Sequence, residues 1–372
     1  MSLVDNKMRT KRAKKEVAKT NARSEANSIP AESLSNIHRG LVCQGEGPVC
    51  YNKDSCFSVS VVDASINVYT NSAHVKDKFR NSVANFPVLG VIPGYTFHDK
   101  LLEECRYALE YDKDGNGIKF GDKNIYMGCE EEGLYFNDLV TGILILLEKQ
   151  HQSQNKFTMH CSAFGRDGRS CLLLGDTGNG KTTTLLNLSL RGYSMFSNDR
   201  TVVGYHEENL AIFAGTKYLS IRPHIYEKLL HKERSFLDST RCGFTEKGKI
   251  ILDLEMERNK EILPSITKIS NILFIQILDD TDTKLFATMG DREGTLSLTN
   301  ELSASIRGVR QVSISHKEQF PSYDDETLTK NRNLFIRSIL SNMQLYVLKA
   351  NLRNLTNAII DIFEGKGIKT NV

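Results

Sequence analysis

Between Leu174 and Leu185 the chain reads Gly175-Asp176-Thr177-Gly178-Asn179-Gly180-Lys181-Thr182-Thr183-Thr184, which satisfies the spacing G-x-x-x-x-G-K-[ST]. This pattern constrains the fold because it functions only between a strand and a helix. The glycines let backbone N–H groups converge on phosphate oxygens, and the helix N-terminus adds partial positive charge. Both flanks are present. Ser170–Leu174 is a short apolar run suited to a buried strand. Lys181–Arg191 has helical spacing, with Leu185, Leu188 and Leu186 as candidates for the inner face and Gly192 as the stop. The spacing therefore predicts an α/β core that binds a nucleoside triphosphate. Lys181 is expected to reach the β- and γ-phosphates, Thr182 to ligate Mg²⁺, and Gly175, Asp176, Thr177, Gly178, Asn179, Gly180 and Thr183 to line the phosphates with them.

The flanks add further expectations. Phe157–Phe164 and Arg169–Leu174 bracket Gly165-Arg166-Asp167-Gly168 and read as a β-hairpin. Pairing Phe164 with Arg169 places His160 opposite Leu173, at the mouth of the loop, and the two-residue period puts Thr158, His160 and Ser162 on one face. After the helix, Tyr193–Ser197 returns as a strand that delivers Asn198-Asp199-Arg200 at its end. A parallel neighbour of the loop strand would bring Asp199 to the phosphate side. His160, Thr182 and Asp199 are thus expected to converge on one metal-bound triphosphate.

These residues resemble a known superfamily. Met159-His160-Cys161-Ser162-Ala163 followed by the loop is similar to the ATP-type phosphoenolpyruvate carboxykinases. The run GDTGNGKTTTLLNLSLRGYSMFSNDRTVV is similar to HPr kinase/phosphorylase and its relatives, in which a histidine, the loop and "RG…DDR" recur at this spacing. The resemblance implies a phosphate-binding core of that type, with His160 near the metal, Lys181 as the phosphate lysine, Thr182 as a magnesium ligand, and Asp199 serving the metal or the acceptor hydroxyl. The chain departs from the pattern at the first acid of the pair, which is Asn198 here. A carboxykinase itself is disfavoured, because the chain is short for one and shows no arginine set for oxaloacetate.

Length and charge bound the rest. A chain of 372 residues predicts two domains and a tail. Residues 1–25 hold eight Lys/Arg against three acids, a net of +5, which leaves about −2 for the rest of a +3 chain. That tail has no aromatic residue for stacking, which disfavours nucleic acid and favours a solvated segment. We expect a basic disordered tail and linker over 1–37, a smaller α+β domain over 38–153 that recognises the acceptor or acts as scaffold, and the nucleotide core over 154–372. The longest apolar run, Leu139–Leu147, is too short to span a bilayer. The eight cysteines form no paired framework, and Cys43, Cys50 and Cys56 lack zinc spacing, which suits free thiols in the cytoplasm. Asp112–Gly117 copies the opening of a calcium loop, but position 12 is Lys123, so a hairpin tip is expected. The final helix, Leu352–Phe363, carries a packing face, and Arg222, Arg307 and Arg310 are either phosphate-steadying or solvated.

Neither the guanine motif N-K-x-D nor the transporter signature L-S-G-G-Q occurs, and the sequence offers no apolar strand with a downstream aspartate in the usual metal-binding role. Asp199 follows Lys181 by only eighteen residues. The expected activity is an ATP- and Mg²⁺-dependent kinase acting on a hydroxyl, either a serine of a protein or peptide or a small metabolite, with a homo-oligomer open. A nucleotide-gated binding protein and a plain ATPase are the alternatives.

Overall fold

The computed structural model describes residues 51, 53–80, 91–115, 117–128, 132–227, 234, 238, 241–244, 249–253, 266–279, 283–308 and 319–366. The basic tail, Cys43, Cys50 and Arg310 lie outside these residues.

The first sheet is built from β1 (Phe57–Val61), β2 (Ala64–Thr70), β3 (Thr96–His98), β4 (Ala108–Asp112), β5 (Gly117–Phe120) and β6 (Asn124–Gly128), in the order β3-β1-β2-β4-β6-β5. Its centre, β2-β4-β6, is parallel, and α1 (Ala73–Arg80) lies on the crossover between β2 and β4. The expected hairpin across Asp112–Gly117 does not form. Both edges of β4 are already taken by β2 and β6, so β5 pairs only with β6, antiparallel, on the outer edge. The Asp112 carboxylate instead accepts from Asn71 Nδ2 at 2.7 Å and from the Asp114 N–H at 3.0 Å.

Helix α2 (Glu132–Ser153) packs on this sheet through Phe136, Leu139, Val140 and Ile143–Leu147. A side chain at Gly142 would come within 2.8 Å of Met127 and 2.9 Å of Leu109, so glycine lets the helix lie directly on the strands. The helix is apolar on more than one side because the same cluster also takes in Val202 and Phe320 from later in the chain. Residues 153 and 154 lie where this helix gives way to the next strand.

The second sheet contains β7 (Lys156–Met159), β8 (Ser162–Arg166), β9 (Arg169–Leu174), β10 (Ser194–Ser197), β11 (Thr201–His206), β12 (Asn209–Gly215), β16 (Thr267–Ile277), β17 (Leu285–Thr288) and β18 (Leu345–Ala350). A small sheet of β13 (Tyr218–Ile221), β14 (Arg241–Phe244) and β15 (Ile250–Asp253) comes between β12 and β16 in the chain. The large sheet runs β10-β8-β9-β16-β12-β11-β7, with β18 also on β16 and β17 on β18. Its heart is parallel: β16 pairs with β9 on one side and β18 on the other.

Alternation along these strands makes two cores. Cys171, Leu173, Leu273 and Ile275 face α3 (Lys181–Leu190) and α7 (Leu352–Phe363), meeting Leu185, Leu188, Leu355 and Ile359. Leu172, Leu174 and Ile272 face α5 (Asp291–Ser303) and α6 (Glu326–Asn342), meeting Leu298, Leu302, Phe335 and Ile339. Helices on both faces of a parallel core make this an α/β protein. The short α4 (Pro223–Glu227) follows β13. Each fully buried leucine or isoleucine contributes roughly 1.5–3 kcal/mol by leaving water, so these two stripes hold the layers together. Among the described residues no helix is long and apolar enough to cross a membrane.

Candidate active site

The loop after β9 takes the form that its glycines permit. Gly178 and Gly180 have φ values of 92° and 90°, in the region L side chains rarely adopt. The loop also leans on the end of β16. A Cβ at Gly175 would lie 2.6 Å from the Ile275 carbonyl, and one at Gly180 would lie 2.2 Å from Ile277 Cδ1. The Ile277 N–H donates to the Asn179 carbonyl at 3.0 Å, locking the contact. Gly180 precedes α3 without a side-chain cap, which leaves the first amides of the helix open to an anion. Asp176, Thr177 and Gly178 are exposed, whereas Lys181 is buried and its Nζ donates to the Gly175 carbonyl at 2.5 Å. Burial pushes the Lys181 amine below its ordinary pKa, opposed by the charges of Asp199 and Glu301.

A second structure faces the loop. Strand β7 runs into β8 through His160-Cys161, and β10 runs into β11 through Asn198-Asp199-Arg200. β7 pairs antiparallel with β11, reaching Met159↔Thr201, and β8 pairs antiparallel with β10, reaching Ala163↔Ser197. The two chains therefore bend at the same level, and each bend faces the other. Cys161 N–H bonds back to the Met159 carbonyl at 3.0 Å, so the turn centres on His160. Across the gap, His160 Nε2 lies 2.9 Å from Asp199 Oδ1.

The hairpin register differs from the sequence expectation by two residues. Arg166 pairs with Arg169 and Ser162 with Leu173, around a two-residue turn whose Asp167 and Gly168 have φ of 53° and 72°. Positive φ at both turn positions is the twist-matched hairpin geometry, which wins over the longer turn assumed from sequence. His160 is thus not opposite Leu173 but in the bend beyond the pairing. Nor is β10 the parallel neighbour of β9, since β8 lies between them. Asp199 reaches the site because β10 and β8 carry the two bends together. A further correction concerns β16. It is an apolar strand parallel to β9, with Phe274 opposite Leu174, and it is followed by the exposed Asp279. An apolar strand followed by an aspartate is therefore present among the described residues.

Asn198 is tied down on every side. Its Oδ1 accepts from the Thr182 hydroxyl at 3.0 Å, its Nδ2 donates to the Tyr218 carbonyl at 3.4 Å, and its own carbonyl accepts from the Ser162 hydroxyl. An aspartate here would keep the Thr182 bond but set a carboxylate oxygen against the Tyr218 carbonyl. Asn198 thus joins the start of α3 to β13, a task that needs a donor and an acceptor on one side chain.

The remaining anchors were not visible in the sequence. Thr216, fully buried just after β12, accepts at Oγ1 from the N–H groups of Asp199 (2.9 Å) and Arg200 (3.2 Å). Its own N–H donates to the Arg200 carbonyl at 3.0 Å, and Ser197 Oγ donates to the same carbonyl at 2.7 Å. Extending the β11–β12 register past Thr201↔Gly215 would have pointed to Thr216. From α2, the buried Glu148 accepts from the Thr158 N–H at 3.1 Å and from Gln152 Nε2 at 2.7 Å. Burial pushes Glu148 up to about 7. Burial also acts to raise Asp199, but the His160 hydrogen bond and the charges of His160, Arg200 and Lys181 outweigh it and hold that carboxyl below its ordinary value. Arg307 is not a free phosphate ligand, because its Nε bonds to Asp324 at 2.7 Å. Arg222 is exposed.

No family model and no curated protein matches the chain. Among solved structures it is similar to the Hpr(Ser) kinase/phosphatase from Coxiella burnetii, at 13% identity over 56% of this chain and 88% of that one. The TM-score is 0.27, so the likeness lends no weight to any activity, and the chemistry of the site has to be argued from its own residues.

Proposed function

We propose that this protein is an ATP-dependent kinase of the HPr-kinase-like type, transferring the γ-phosphoryl group to a hydroxyl. The observation that carries the reading is the meeting of three elements at one end of the second sheet. These are the glycine loop with Lys181, the Thr182–Asn198 contact, and the His160–Asp199 pair. In this reading the loop amides and Lys181 hold the phosphates, and the amine leaves the Gly175 carbonyl to do so. The acceptor oxygen bonds to the γ-phosphorus as the bond to the β,γ-bridging oxygen breaks, and that electron pair departs with the nucleoside diphosphate. The hydroxyl proton passes to Asp199, which His160 orients. The depressed pKa keeps Asp199 ionised, so a carboxylate and not a carboxylic acid meets the hydroxyl.

The donor set also suits Mg²⁺. Among the described residues no three His, Cys, Asp or Glu side chains gather as a metal site. In this reading the Thr182 hydroxyl would therefore hold the cation, and the Asp199 carboxylate would serve either it or the acceptor proton. A hard cation that takes most of its ligands from phosphate and water needs no more. When bound it supplies neutralisation of the phosphate charge. His160, a nitrogen donor already committed to Asp199, acts here as a positioning residue.

Asn198 favours a second reading, a nucleotide-gated binding protein, because one acid of the expected pair is replaced by a structural amide. Incubation with γ-labelled ATP and a panel of peptides and hydroxylated metabolites separates the two. Label on an acceptor supports the kinase, and bound but unconsumed ATP supports gating. Free labelled phosphate with no labelled acceptor would mean a plain ATPase.

A further inference from the structure

Arg200 is held more firmly than a surface residue needs to be, and its side chain acts on Asp199 and Glu148 by charge alone. Its backbone N–H and carbonyl are both fixed by Thr216, and the carbonyl also by Ser197. The side chain starts from this fixed point beside Asp199. Its Nε is buried and has no hydrogen-bond partner. No hydrogen bond joins the guanidinium to any described residue, although the charges of Asp199 and Glu148 reach it. Leaving a buried donor unmet costs about 1–3 kcal/mol, so a side chain that carries this burden next to a reactive pair calls for an occupant.

The occupant's chemistry follows from the donor. A guanidinium is a planar fork that matches a tetrahedral or planar oxyanion bidentately, and it is always charged. Glu148 could in principle satisfy it, but that carboxyl is bonded to Gln152 and the Thr158 N–H instead. Asp199 spends Oδ1 on His160. Lys181 and Thr182 mark where the phosphates end, and Asp199 comes next. Arg200 follows Asp199 in the chain and feels the charge of that carboxylate, so its guanidinium belongs with the His160–Asp199 pair and not with the loop.

We infer that Arg200 clamps the phosphoryl group while it passes from nucleotide to acceptor, using the guanidinium donors that the folded protein leaves unpaired. The inference rests on the kinase reading above. It assigns to Arg200 no share in holding the nucleoside diphosphate, which is the work of the loop. In transit the charge is spread over the three phosphoryl oxygens, and a fixed guanidinium meets it without reorganising.

The test compares binding of ADP with binding of ADP plus aluminium fluoride, a planar mimic of the phosphoryl group in transit, in wild type and Arg200→Lys. Lysine keeps the charge and loses the fork. The expected result is ADP affinity within about 2-fold of wild type and an unchanged melting temperature, with roughly 10²–10³-fold weaker binding of the fluoride complex and a similar loss in kcat. Equal affinity of both proteins for the fluoride complex overturns the inference. Parallel losses of ADP affinity and melting temperature also overturn it, because they mark a structural role. If wild type binds ADP but shows no gain with aluminium fluoride, the kinase reading fails and the inference falls with it. A measurement on unaltered protein guards against a variant that does not fold: modification by phenylglyoxal, mapped by mass spectrometry. Arg200 should be protected by ADP with aluminium fluoride and not by ADP alone, and equal protection by both would refute the clamp.

Discussion

The glycine loop keeps its shape with backbone, whereas the paired bends opposite keep theirs with side chains that arrive from distant parts of the chain. In the loop, positive φ at Gly178 and Gly180 and the close approach of Gly175 and Gly180 to β16 define the path. In the bends, Thr216, Ser197, Ser162 and Thr201 each supply a hydroxyl to a backbone group. The loop presents N–H groups and one amine, so it suits charge that is already formed on bound phosphates. The bends present a carboxylate, an imidazole and a guanidinium, which suit a proton and a charge on the move. In the proposed kinase, binding and chemistry fall to two structures that share one end of the sheet, and each is expected to be disabled without the other.

The largest expected effect comes from breaking the loop side. Lys181→Ala should abolish transfer, by about 10³-fold or more, and weaken ATP binding, since the amine is the loop's only side-chain cation. Its contacts in the folded protein are loop carbonyls, so the melting temperature should hardly move. A folded variant with unchanged affinity and turnover would sink the assignment.

Breaking the bend side should separate binding from chemistry. Asp199→Asn is expected to cost about 10²–10⁴-fold in transfer while ATP affinity stays within a few fold. The variant also tests the acid limb of stability. A carboxyl whose folded pKa is depressed contributes stability above its unfolded pKa and loses it as pH falls through the folded value. The variant should therefore unfold with less dependence on pH below about 4, the usual carboxyl range. Transfer within a few fold of wild type would move the acid elsewhere.

Thr216→Val sharpens the comparison, because it touches no ligand. The change is nearly isosteric and removes the acceptor for two backbone N–H groups. We expect a loss of about 1–3 kcal/mol in stability and roughly 10-fold in kcat, with ATP affinity unaltered. Equal losses in affinity and rate would show that loop and bends are one structure.

The smallest effect is expected at Glu148. Its folded pKa is raised to about 7, so its contribution to stability is full below the unfolded carboxyl value and is lost as pH rises through about 7. Glu148→Gln keeps an acceptor for the Thr158 N–H and stays neutral as the protonated acid does, which removes that slope. The variant should therefore be about as stable as wild type at pH 5 and more stable than it at pH 8. Denaturant titrations at the two pH values decide this, and an identical pH dependence of the two proteins would contradict it.

How much of this was legible in the sequence follows the same division. The loop's own flanks came through, namely the strand before it, the helix after it with Leu185 and Leu188 inside, and Gly192 as its stop. So did Leu352–Phe363 as the last helix, whereas the hairpin expected across Asp112–Gly117 did not. His160 and Asp199 were found as candidates, and the structure brings them to 2.9 Å. The route to that meeting was misjudged. A two-residue turn at Asp167-Gly168 replaced the longer one, and β8 came between β10 and β9. Thr216 and Glu148 were passed over because nothing near them in the chain marks them, and Arg200 was named only as the neighbour of Asp199. Their positions depend on the β11–β12 register and on a helix that ends before the second sheet begins. Asn198 looked like a lost acid from the sequence, and only the Tyr218 carbonyl gives its amide a purpose.

The contact of the loop with β16 also has a consequence for the order in which the protein comes into being. Gly175 and Gly180 rest on Ile275 and Ile277, and Leu174 pairs with Phe274 a hundred residues later. A ribosome delivers residues at about 5–20 per second, so the completed motif waits several seconds at least before the strand that shapes it has been made. During that interval the nascent chain holds every residue of the phosphate loop and nothing to press it into form. Pairing across so long a separation is also slow to find. In the proposed reading, nucleotide therefore becomes a ligand for this fold only after residue 277 has emerged, and it does not guide the folding of what precedes it.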